Sequence, residues 1–568
     1  MHDIVIHGGE VVDGTGSAPR RADVAVDGDR ITEIGTVSGP ARRRIDAAGR
    51  LVTPGFVDIH THLDAQLFWD PVASPSCRHG VTTVVLGNCG VTFAPVGAGQ
   101  ERYLAEMMEA VEDIPADSIM AGLDWGWHSY GDYLRSLASR PLGVNAGGMI
   151  GHCALRHHVM GPRSLDEAPA TDEDIARMAA LVGEAMDAGA LGFSTSRSLM
   201  HTVPDGRPVP GTFARPEELA AIAGALGTRN RGVIEVVPRI GERDGPQREN
   251  SVAELAWMEQ VSRASGRPLT FAIMQSDRRP GLWSWVMEQV AAARARGADL
   301  RPQTAARGSA ILFGLVGRTP YDALPAWSEL KELPWEQRLK ALADDTWRGR
   351  LVADAEQPVT QSGPLAPKDP AKMYLLPPGP AAYNVSPRNS LAAEAARRGT
   401  SAAEAFIDYT LDTGGRGLLY YPVLNQDLDA VAAMLTNPDV VLGVADAGAH
   451  VALTMDAGQA TYLLRHWVRD RGLLDVGRAV RKLTSEGAQL FGLEGRGVLA
   501  PGAYADINVI DLDHLDLDTP EMAADLPLGA DRFVQQARGY DYTLVNGQVL
   551  VDHDELTEAR PGRLVVPS

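Results

Sequence analysis

Two histidines stand two residues apart at the end of an apolar run, in the segment Pro54-Gly-Phe-Val-Asp-Ile-His-Thr-His62. The run at 51–59 reads as a buried strand, and residues i and i+2 of a strand project from the same face. His60 and His62 therefore point the same way from a strand end, where neutral ring nitrogens can bind a divalent metal. Two ordinary surface histidines are the alternative, but the strand leading straight into the pair favours the metal site.

The elements that must position these histidines alternate along the chain between strand-like and amphipathic helical runs. This alternation is typical of a parallel sheet built from βαβ units. The predicted strands are 51–59, 82–87, 142–150, 190–194, 232–237, 269–275, 300–304 and 440–445. Helical patterns lie between most of them, at 172–188, 216–228, 252–264 and 281–296. These units predict an α/β fold, a TIM-like (β/α)8 barrel with its active site at the C-terminal ends of the strands.

Both ends of the chain carry short apolar stretches separated by turn signals, which predicts antiparallel β structure. Neither end has enough strands for a stable sheet alone, so 1–52 and 496–568 are expected to form one small β-sandwich domain. The barrel then covers 53–495, with a lid-like insertion at 318–425. The proline-dense part of that insertion, 357–387, is interpreted as an ordered loop over the barrel mouth. Interspersed aromatics, such as Tyr374, disfavour the alternative of a disordered linker.

The composition of the 568 residues, 45% hydrophobic and 22% charged, is that of an ordinary globular protein with a large and a smaller domain. A net charge of -20 argues against nucleic acid or an anionic membrane as partner, but not against an anionic small molecule. Cys77, Cys89 and Cys153 are too few for a disulfide framework. With no signal-peptide pattern and no apolar run long enough for a bilayer, a cytoplasmic location is expected. A homo-oligomer stays an open alternative.

Polar side chains collect at the predicted strand ends, where a barrel enzyme needs them. Strand 1 ends in the two histidines, and strand 2 in Gly87-Asn-Cys89-Gly90. Strand 3 ends in Gly151-His152-Cys153, and strand 4 in Ser194-Thr-Ser-Arg197. Strand 8 ends in Asp446-Ala-Gly-Ala-His450.

The order of these motifs resembles the amidohydrolase superfamily, and within it the D-aminoacylase (N-acyl-D-amino-acid deacylase) branch. The similarity runs nearly end to end, and although each glycine-rich piece is a weak signal alone, their order is specific. Further pieces are Ile6-His-Gly-Gly-Glu-Val-Val-Asp-Gly-Thr-Gly16, Gly189-Ala-Leu-Gly-Phe-Ser-Thr195 and Gly497-Val-Leu-Ala-Pro-Gly-Ala-Tyr-Ala-Asp-Ile507. The resemblance implies a metal, usually zinc, that activates a water to attack an amide carbonyl.

The resemblance also implies roles for Asp446 and Cys89. The aspartate at the end of strand 8 acts in the family as general base and then as general acid. A strand 2 thiolate replaces the carbamylated lysine that many two-metal amidohydrolases carry on strand 4, where this chain has no lysine. The alternatives are that Asp446 caps the following helix and that Cys89 is a small buried hydrophobe, the reading that suits Cys77 and Cys153.

The chain departs from the family pattern at strands 5 and 6. The family supplies one histidine from each, whereas this chain has no histidine between His201 and His450. Glu235 and Gln275 are the available substitutes, but glutamine is a poor zinc ligand and Glu235 has the alternative of neutralising an arginine. The remaining set, His60, His62, Cys89 and Asp446, predicts at most one tightly bound zinc ion, with a weak or absent site left open.

Three arginines, Arg197, Arg239 and Arg307, follow strand ends, and a guanidinium can hold a carboxylate or phosphate through two hydrogen bonds. They predict an anionic small-molecule substrate, with structural ion pairs as an equally weighted alternative. His152 and His450 are further candidates for contacting substrate or orienting the aspartate. His201 completes the set, although a lone loop histidine is more often solvated.

The sequence therefore predicts a metal-dependent hydrolase of a linear amide. The expected substrate is an N-acyl amino acid, with the D configuration as one option, and a related carbamoyl or peptide-like compound is the alternative. Loss of the strand 5 and 6 histidines motivates a second hypothesis, a lyase or isomerase on the same barrel. A third hypothesis is a catalytically silent homologue that serves as a binding subunit. Retention of the four candidate ligands argues against the third.

Overall fold

The structure is a computed structural model that describes residues 1–357 and 369–568. Part of the predicted lid segment, 358–368, lies outside the described residues. The chain opens with five strands: β1 (His2–Val11), β2 (Arg20–Asp27), β3 (Arg30–Gly35), β4 (Ala41–Asp46) and β5 (Leu51–Pro54).

The predicted first barrel strand is divided at Gly55, which corrects the single strand expected at 51–59. Leu51–Pro54 pairs with the terminal sheet, and only Phe56–Asp58 enters the barrel. A Cβ at Gly55 would lie 2.2 Å from the Thr82 hydroxyl, so only glycine lets the chain pass this close to the next strand. The division lets one continuous segment serve both sheets.

Parallel strands follow in chain order around the barrel, each paired with the next. They are β6 (Phe56–Asp58), β7 (Val81–Leu86), β8 (Asn145–Gly151), β9 (Gly192–Ser196), β10 (Val233–Val237), β11 (Leu269–Ala272) and β12 (Leu300–Thr304). Their residues are almost all buried, as expected for strands covered on both faces. The intervening helices are α1 (Ser74–Cys77), α2 (Glu101–Glu112), α3 (Ala116–Gly122), α4 (Tyr130–Ala138), α5 (His152–Met160), α6 (Asp172–Asp187), α7 (Pro216–Gly227), α8 (Glu249–Ser265) and α9 (Leu282–Ala295).

The insertion is a folded unit, and its sheet includes β13 (Ser309–Phe313), which precedes the predicted range 318–425. This strand, β14 (Tyr374–Leu376) and β15 (Leu418–Leu424) form an antiparallel sheet. Five helices pack on it around a separate apolar core that includes Trp327 and Phe406. They are α10 (Pro325–Lys331), α11 (Trp335–Ala343), α12 (Asp345–Ala355), α13 (Leu391–Arg398) and α14 (Ala402–Asp412).

The last barrel strand, β16 (Val441–Leu442), follows α15 (Leu428–Thr436) and pairs with β12. Just beyond it Ala447 forms a parallel bridge to Thr61, and its carbonyl accepts the His62 N–H at 2.8 Å. This contact joins the eighth strand to the first, so the fold is a (β/α)8 barrel, as predicted. After it come α16 (Gln459–Tyr462), a π-helical segment at Leu463–Asp470, α17 (Val476–Leu483) and α18 (Ser485–Leu490).

Both chain ends join in one nine-stranded sheet, because β17 (Ile507–Ile510) lies between β5 and a C-terminal strand. Residues such as Val24 and Leu544 share its apolar core. The C-terminal strands are β18 (Asp516–Leu517), β19 (Glu521–Ala523), β20 (Arg532–Val534), β21 (Ala537–Arg538), β22 (Tyr540–Val545), β23 (Gln548–Asp552) and β24 (Glu555–Leu556). Strands β18 to β21 pair apart from this sheet, and the Phe533 N–H bonds the Val451 carbonyl near the barrel rim. The exact domain boundaries stay a prediction.

No helix in the described ranges is both long enough and apolar enough to cross a membrane.

Candidate metal centre and active site

His60, His62 and Cys89 meet at the C-terminal ends of the first two barrel strands. The His60 Nε2 lies 3.4 Å from the Cys89 Sγ, and one ligand atom from each of the three residues falls within 4.8 Å of the others. All three side chains are buried, so water competes little for their lone pairs. The strand ends thus bring together the donors that the His-X-His and Asn-Cys-Gly segments predicted.

Asp446 reaches the same point from the loop after β16. Its Oδ1 lies 3.3 Å from His60 Nε2 and 4.0 Å from His62 Nε2. Cys89 and Asp446 have φ of 56° and 47°, and His450 has 48°, in the left-handed region that non-glycine residues rarely adopt. Such backbone conformations persist where the surrounding structure holds a functional geometry. The four predicted donors therefore face one common volume.

The protonation states of the histidines fit a metal cation. Burial lowers the pKa of His60 to about 4, and that of His62 well below its usual value, so both rings are neutral near pH 7. His60 Nδ1 lies 3.0 Å from Gln303 Oε1, so a neutral ring that donates there leaves the Nε2 lone pair free. Among the described residues, neither ring nitrogen of His62 has a hydrogen-bond partner, although both are buried. A cation would satisfy atoms that the protein leaves unpaired.

The thiol of Cys89 also requires a cation to act as a ligand. Burial, followed by the nearby Glu112 and Glu235 carboxyl groups, raises its pKa well above the usual range. The sulfur is therefore a thiol at neutral pH unless a bound metal stabilises the thiolate. Two imidazoles, a sulfur and a carboxylate form a donor set that suits zinc.

Glu235, on β10, lies directly beside Cys89. Its Oε2 accepts the Cys89 N–H at 2.9 Å, and burial raises its pKa to about 8. No arginine in the described ranges pairs with it, and its Oε1 has no partner. Gln275 is engaged elsewhere, because its Oε1 accepts the Asp427 N–H and its Nε2 donates to Asp277. Of the two substitutes, only Glu235 faces the site.

Two site residues were missed by the sequence analysis, Glu112 and Gln303. Glu112, the last residue of α2, is buried with Oε1 3.5 Å from His62 Nδ1 and Oε2 3.8 Å from His450 Nε2. A helix-end glutamate carries no local signal of such a position. Gln303 lies within a predicted strand. The sequence alone does not show which face of that strand points toward the metal donors, because this depends on the neighbouring strands.

His152 does not contact the site, which corrects the expectation that it binds substrate. The ring is fully buried, with Nδ1 2.8 Å from Thr195 Oγ1 and Nε2 3.0 Å from Glu218 Oε1. Arg156 bonds the same carboxylate. Both ring nitrogens are thus used in holding α5 to its neighbours.

Arg197 and Arg307 each form a buried ion pair, which supports the alternative of structural ion pairs. Arg197 binds Glu254 through both Nε and Nη2, at 3.0 to 3.1 Å. Arg307 pairs with Asp456 at 3.1 Å, and its guanidinium carbon lies 4.0 Å from the Tyr383 ring centroid. Both arginines are buried, although the Nε of Arg307 has no acceptor among the described residues.

Arg239, His201 and His450 are only partly buried, unlike Arg197, Arg307 and His152. Arg239 reaches Glu254 at only 3.4 Å, and its Nε has no acceptor among the residues that the structure describes. The His201 Nδ1 lies 2.8 Å from Ser196 Oγ. Burial lowers the pKa of His201 to about 4, with smaller contributions from His450 and His60, so its ring is neutral near pH 7.

Neutral imidazoles and a sulfur at the C-terminal rim of a closed (β/α)8 barrel are typical of a metal-dependent barrel hydrolase. A family model described as "Amidohydrolase family" matches residues 43–551. The chain belongs to this amidohydrolase family.

Individual relatives cover nearly the whole chain. The D-aminoacylase of Alcaligenes xylosoxydans xylosoxydans is 30% identical, over 99% of this chain and 97% of its own. An uncharacterized protein of Mycobacterium tuberculosis is 30% identical over 91% of this chain and 85% of its own. A crystal structure of D-aminoacylase aligns over both full chains with a TM-score of 0.67 and 27% identity. A second D-aminoacylase structure aligns over both full chains with a TM-score of 0.65 and 27% identity. That structure is reported with a binuclear metal centre, in which one metal activates and a second metal attenuates.

Proposed function

We propose that this chain hydrolyses the amide bond of an N-acyl amino acid, with the D configuration preferred. The observation that carries the proposal is the buried donor set in which His60 Nε2 lies 3.4 Å from Cys89 Sγ and 3.3 Å from Asp446 Oδ1. The full-length similarity to D-aminoacylase supports the linear amide as substrate and the D configuration.

We further propose one zinc ion held by His60, His62, Cys89 and Asp446. Zinc would supply Lewis acidity, which lowers the pKa of a water and polarises an amide carbonyl. A second tightly bound ion is not expected, because strands 5 and 6 carry no histidine and only Glu235 faces the site in their place.

Asp446 is the proposed proton carrier. Burial raises its pKa to about 6, so its carboxylate is ionised at neutral pH yet basic enough to accept a proton. About a quarter of its side chain is exposed, which leaves access for water and substrate. Its Oδ atoms would take the proton from the attacking water and return it to the leaving amine.

Arg239 is the proposed anchor for the substrate carboxylate. One carboxylate, Glu254, serves two guanidinium groups, and Arg197 holds it at the shorter distances. Arg239 therefore keeps unused hydrogen-bonding capacity at the end of β10, on the same rim as Glu235. A planar fork of this kind recognises a carboxylate in two hydrogen bonds.

The decisive test measures amine release from paired N-acetyl D- and L-amino acids by zinc-loaded protein. Turnover of the D series is expected to exceed that of the L series by about 100-fold, on the order of the discrimination that a shaped pocket achieves. Release of no amine from either series, with zinc bound, would overturn the proposal. In oxygen-18 water the acid product must carry solvent oxygen, whereas the lyase or isomerase hypothesis, which the comparisons do not favour, places none there.

Recognition of the carboxylate is tested with Arg239→Gln. KM for the N-acyl amino acid is expected to rise about tenfold or more, whereas the corresponding N-acyl amino amide, which lacks the charge, should change little. Arg243→Gln, an exposed arginine of the same loop, is the matched control. Equal KM values for Arg239→Gln and the control would remove Arg239 from the substrate site.

The metal ligand set is tested with Cys89→Ala. Loss of the sulfur is expected to lower bound zinc per chain, measured by elemental analysis after dialysis, since a tetrahedral site would keep only three of its donors. Cys77→Ala, another buried free cysteine, is the control and should keep full zinc. Unchanged zinc in Cys89→Ala would reduce Cys89 to a packing residue.

We also propose a cytoplasmic location, because the three cysteines of the chain are free and buried, as suits a reducing compartment. Recovery of the protein in a membrane or secreted fraction would contradict this.

A further inference from the structure

A second cavity lies at the opposite end of the barrel from the metal donors. Its volume is about 450 Å³, and it opens where β10, β11 and β12 begin, against α17 and α18. The charged side chains in its lining are Arg231, Arg267, Arg301, Arg481, Asp299 and Glu486, and Ser568, the last residue of the sequence, also lines it. The site proposed above lies at the carboxyl ends of the same strands, so this cavity is separate from it.

The two carboxylates of the lining are each shared between two cations. Asp299 Oδ1 lies 2.7 Å from Arg301 Nε and also 2.7 Å from Arg294 Nη1. Glu486 faces Arg481 at 3.6 Å and Lys482 at 3.4 Å. Two of these four cations, Arg301 and Arg481, line the cavity themselves, so the lining carries four arginines against two side-chain carboxylates.

Among the described residues, Arg267 and Arg231 are balanced only weakly by nearby carboxylates. Within the described residues Arg267 forms no ion pair, and it donates instead to the Gly232 carbonyl at 3.0 Å and to Asn230 Oδ1 at 3.1 Å. Burial lowers the pKa of Arg267, and the nearby Asp299 opposes this effect only in part. Arg231 approaches Asp187 only at 3.9 Å, and its buried Nε has no acceptor in the same residues.

This arrangement is unusual for a chain with a net charge of -20. Guanidinium groups that converge on one cavity repel each other unless an anion lies between them, and their planar forks match phosphate and carboxylate oxygens. A volume of about 450 Å³ is within the range of small-molecule sites. We propose that this basal cavity binds a small oxyanion of the phosphate class, carrying at least two negative charges.

The probe for this site is inorganic phosphate, titrated calorimetrically into zinc-loaded, full-length protein at constant ionic strength. The wild type is expected to bind phosphate, and Arg267→Gln and Arg481→Gln are each expected to weaken binding about tenfold or more, since each removes a charge-assisted contact. Arg42→Gln, an exposed arginine of the terminal sheet, should bind as the wild type does.

The exposure of Arg481 and one further variant, Cys89→Ala, make the result decisive. Arg481 is about half exposed, so Arg481→Gln should fold even if Arg267→Gln does not. Cys89→Ala should keep phosphate binding, because phosphate bound at the metal centre would instead be lost with the metal. Binding that survives both arginine substitutions, binding lost in Cys89→Ala, or no heat and no rise in Tm at about 10 mM phosphate would each overturn the proposal.

Discussion

Asp446 differs from the other acids of the site in its access to solvent. Glu235 and Asp58 are nearly fully buried, with pKa values raised by burial to about 8 and about 7. Asp446 keeps about a quarter of its side chain exposed, and its pKa rises only to about 6 because His450 opposes the effect of burial. At the scale of single residues, it is the acid best placed to exchange protons with a substrate near neutral pH.

Asp446→Asn is expected to lower kcat about 1,000-fold, because the amide cannot accept the proton of the attacking water. Bound zinc should fall little, since three other donors and the amide oxygen remain. Amine release and elemental analysis measure the two quantities, with Asp429→Asn, an exposed residue of α15, as control. Retention of most of the activity would contradict the proton-carrier role.

Glu112 is expected to act as a positioning residue for His62. Its carboxylate faces the His62 Nδ1, and groups beyond a metal ligand typically change metal affinity 10- to 100-fold when removed. Glu112→Gln should weaken zinc binding by about tenfold or more and alter the visible spectrum of the cobalt-substituted protein, while Glu112→Asp restores part of both. Glu109→Gln is the control, because Glu109 lies one turn earlier on α2 and is exposed to solvent. It should change neither the zinc affinity nor the cobalt spectrum. An unchanged cobalt spectrum would leave Glu112 a purely structural role.

The grouping of the proposed metal donors could be predicted because they lie in contiguous motifs at strand ends. His60 and His62 follow directly from the period of a strand, and Cys89 and Asp446 from the order of motifs. The substrate contacts were harder, because the direction of an arginine depends on which carboxylate lies nearest in the fold. Arg197 pairs with the buried Glu254 of α8, and Arg307 pairs with the buried Asp456 of the loop after β16. No local sequence pattern predicts either ion pair.

At the scale of elements, the joint between the insertion and the barrel centres on Arg307. The residue lies between β12 and β13, pairs with Asp456 and packs against Tyr383 and Tyr420 of the insertion. The Asn425 N–H adds a bond of 2.7 Å to the Gln275 carbonyl. A buried ion pair flanked by aromatic rings fixes the insertion beside the barrel mouth.

Arg307→Gln is expected to destabilise the protein by about 3 kcal/mol, because it leaves Asp456 buried without its partner. If the arginine is structural, the KM of the folded variant should stay within about twofold of the wild type. Arg318→Gln, which breaks an exposed pair with Asp113 at 3.3 Å, should cost less than about 1 kcal/mol. Denaturant unfolding measures both, and a large rise in KM with unchanged stability would return Arg307 to the substrate site.

Most barrel strands and helices could be predicted, because buried parallel strands read as continuous apolar runs and helices α6 to α9 as amphipathic periods. The division of the first strand at Gly55 could not, since it depends on the nearness of Thr82. The short strands β18 to β21 also escaped prediction. Their pairing depends on contacts with the barrel rim rather than on their own sequence.

At the scale of the whole molecule, burial of acids at the barrel rim makes stability depend on pH in an unusual direction. Asp58 and Asp64 have pKa values raised to about 7, and Glu235 to about 8, mainly by burial. At pH values between the ordinary pKa of these acids and their raised pKa, the folded state holds more protons than the unfolded state. The free energy of unfolding therefore falls as pH rises. The buried histidines act oppositely, but only below their ordinary pKa of 6.5.

The Tm of metal-free protein is therefore expected to fall by at least about 3 °C between pH 6.5 and 8, where only the acids still titrate. Zinc should flatten this decline, because the cation favours the deprotonated site. Calorimetric scans with and without zinc measure the effect. A Tm of metal-free protein that rises over this interval would show that the acids are compensated by groups outside the site.

The pairing of Pro54 with Ile507 has a consequence for biosynthesis. Strand β5 emerges from the ribosome long before β17, so its edge waits without its neighbour for on the order of half a minute at ordinary rates of translation. An exposed β edge recruits other chains. Coexpression of a chaperone that binds the nascent N-terminal region should therefore raise the yield of folded enzyme. This gain should exceed the gain obtained by lowering the concentration of the finished protein.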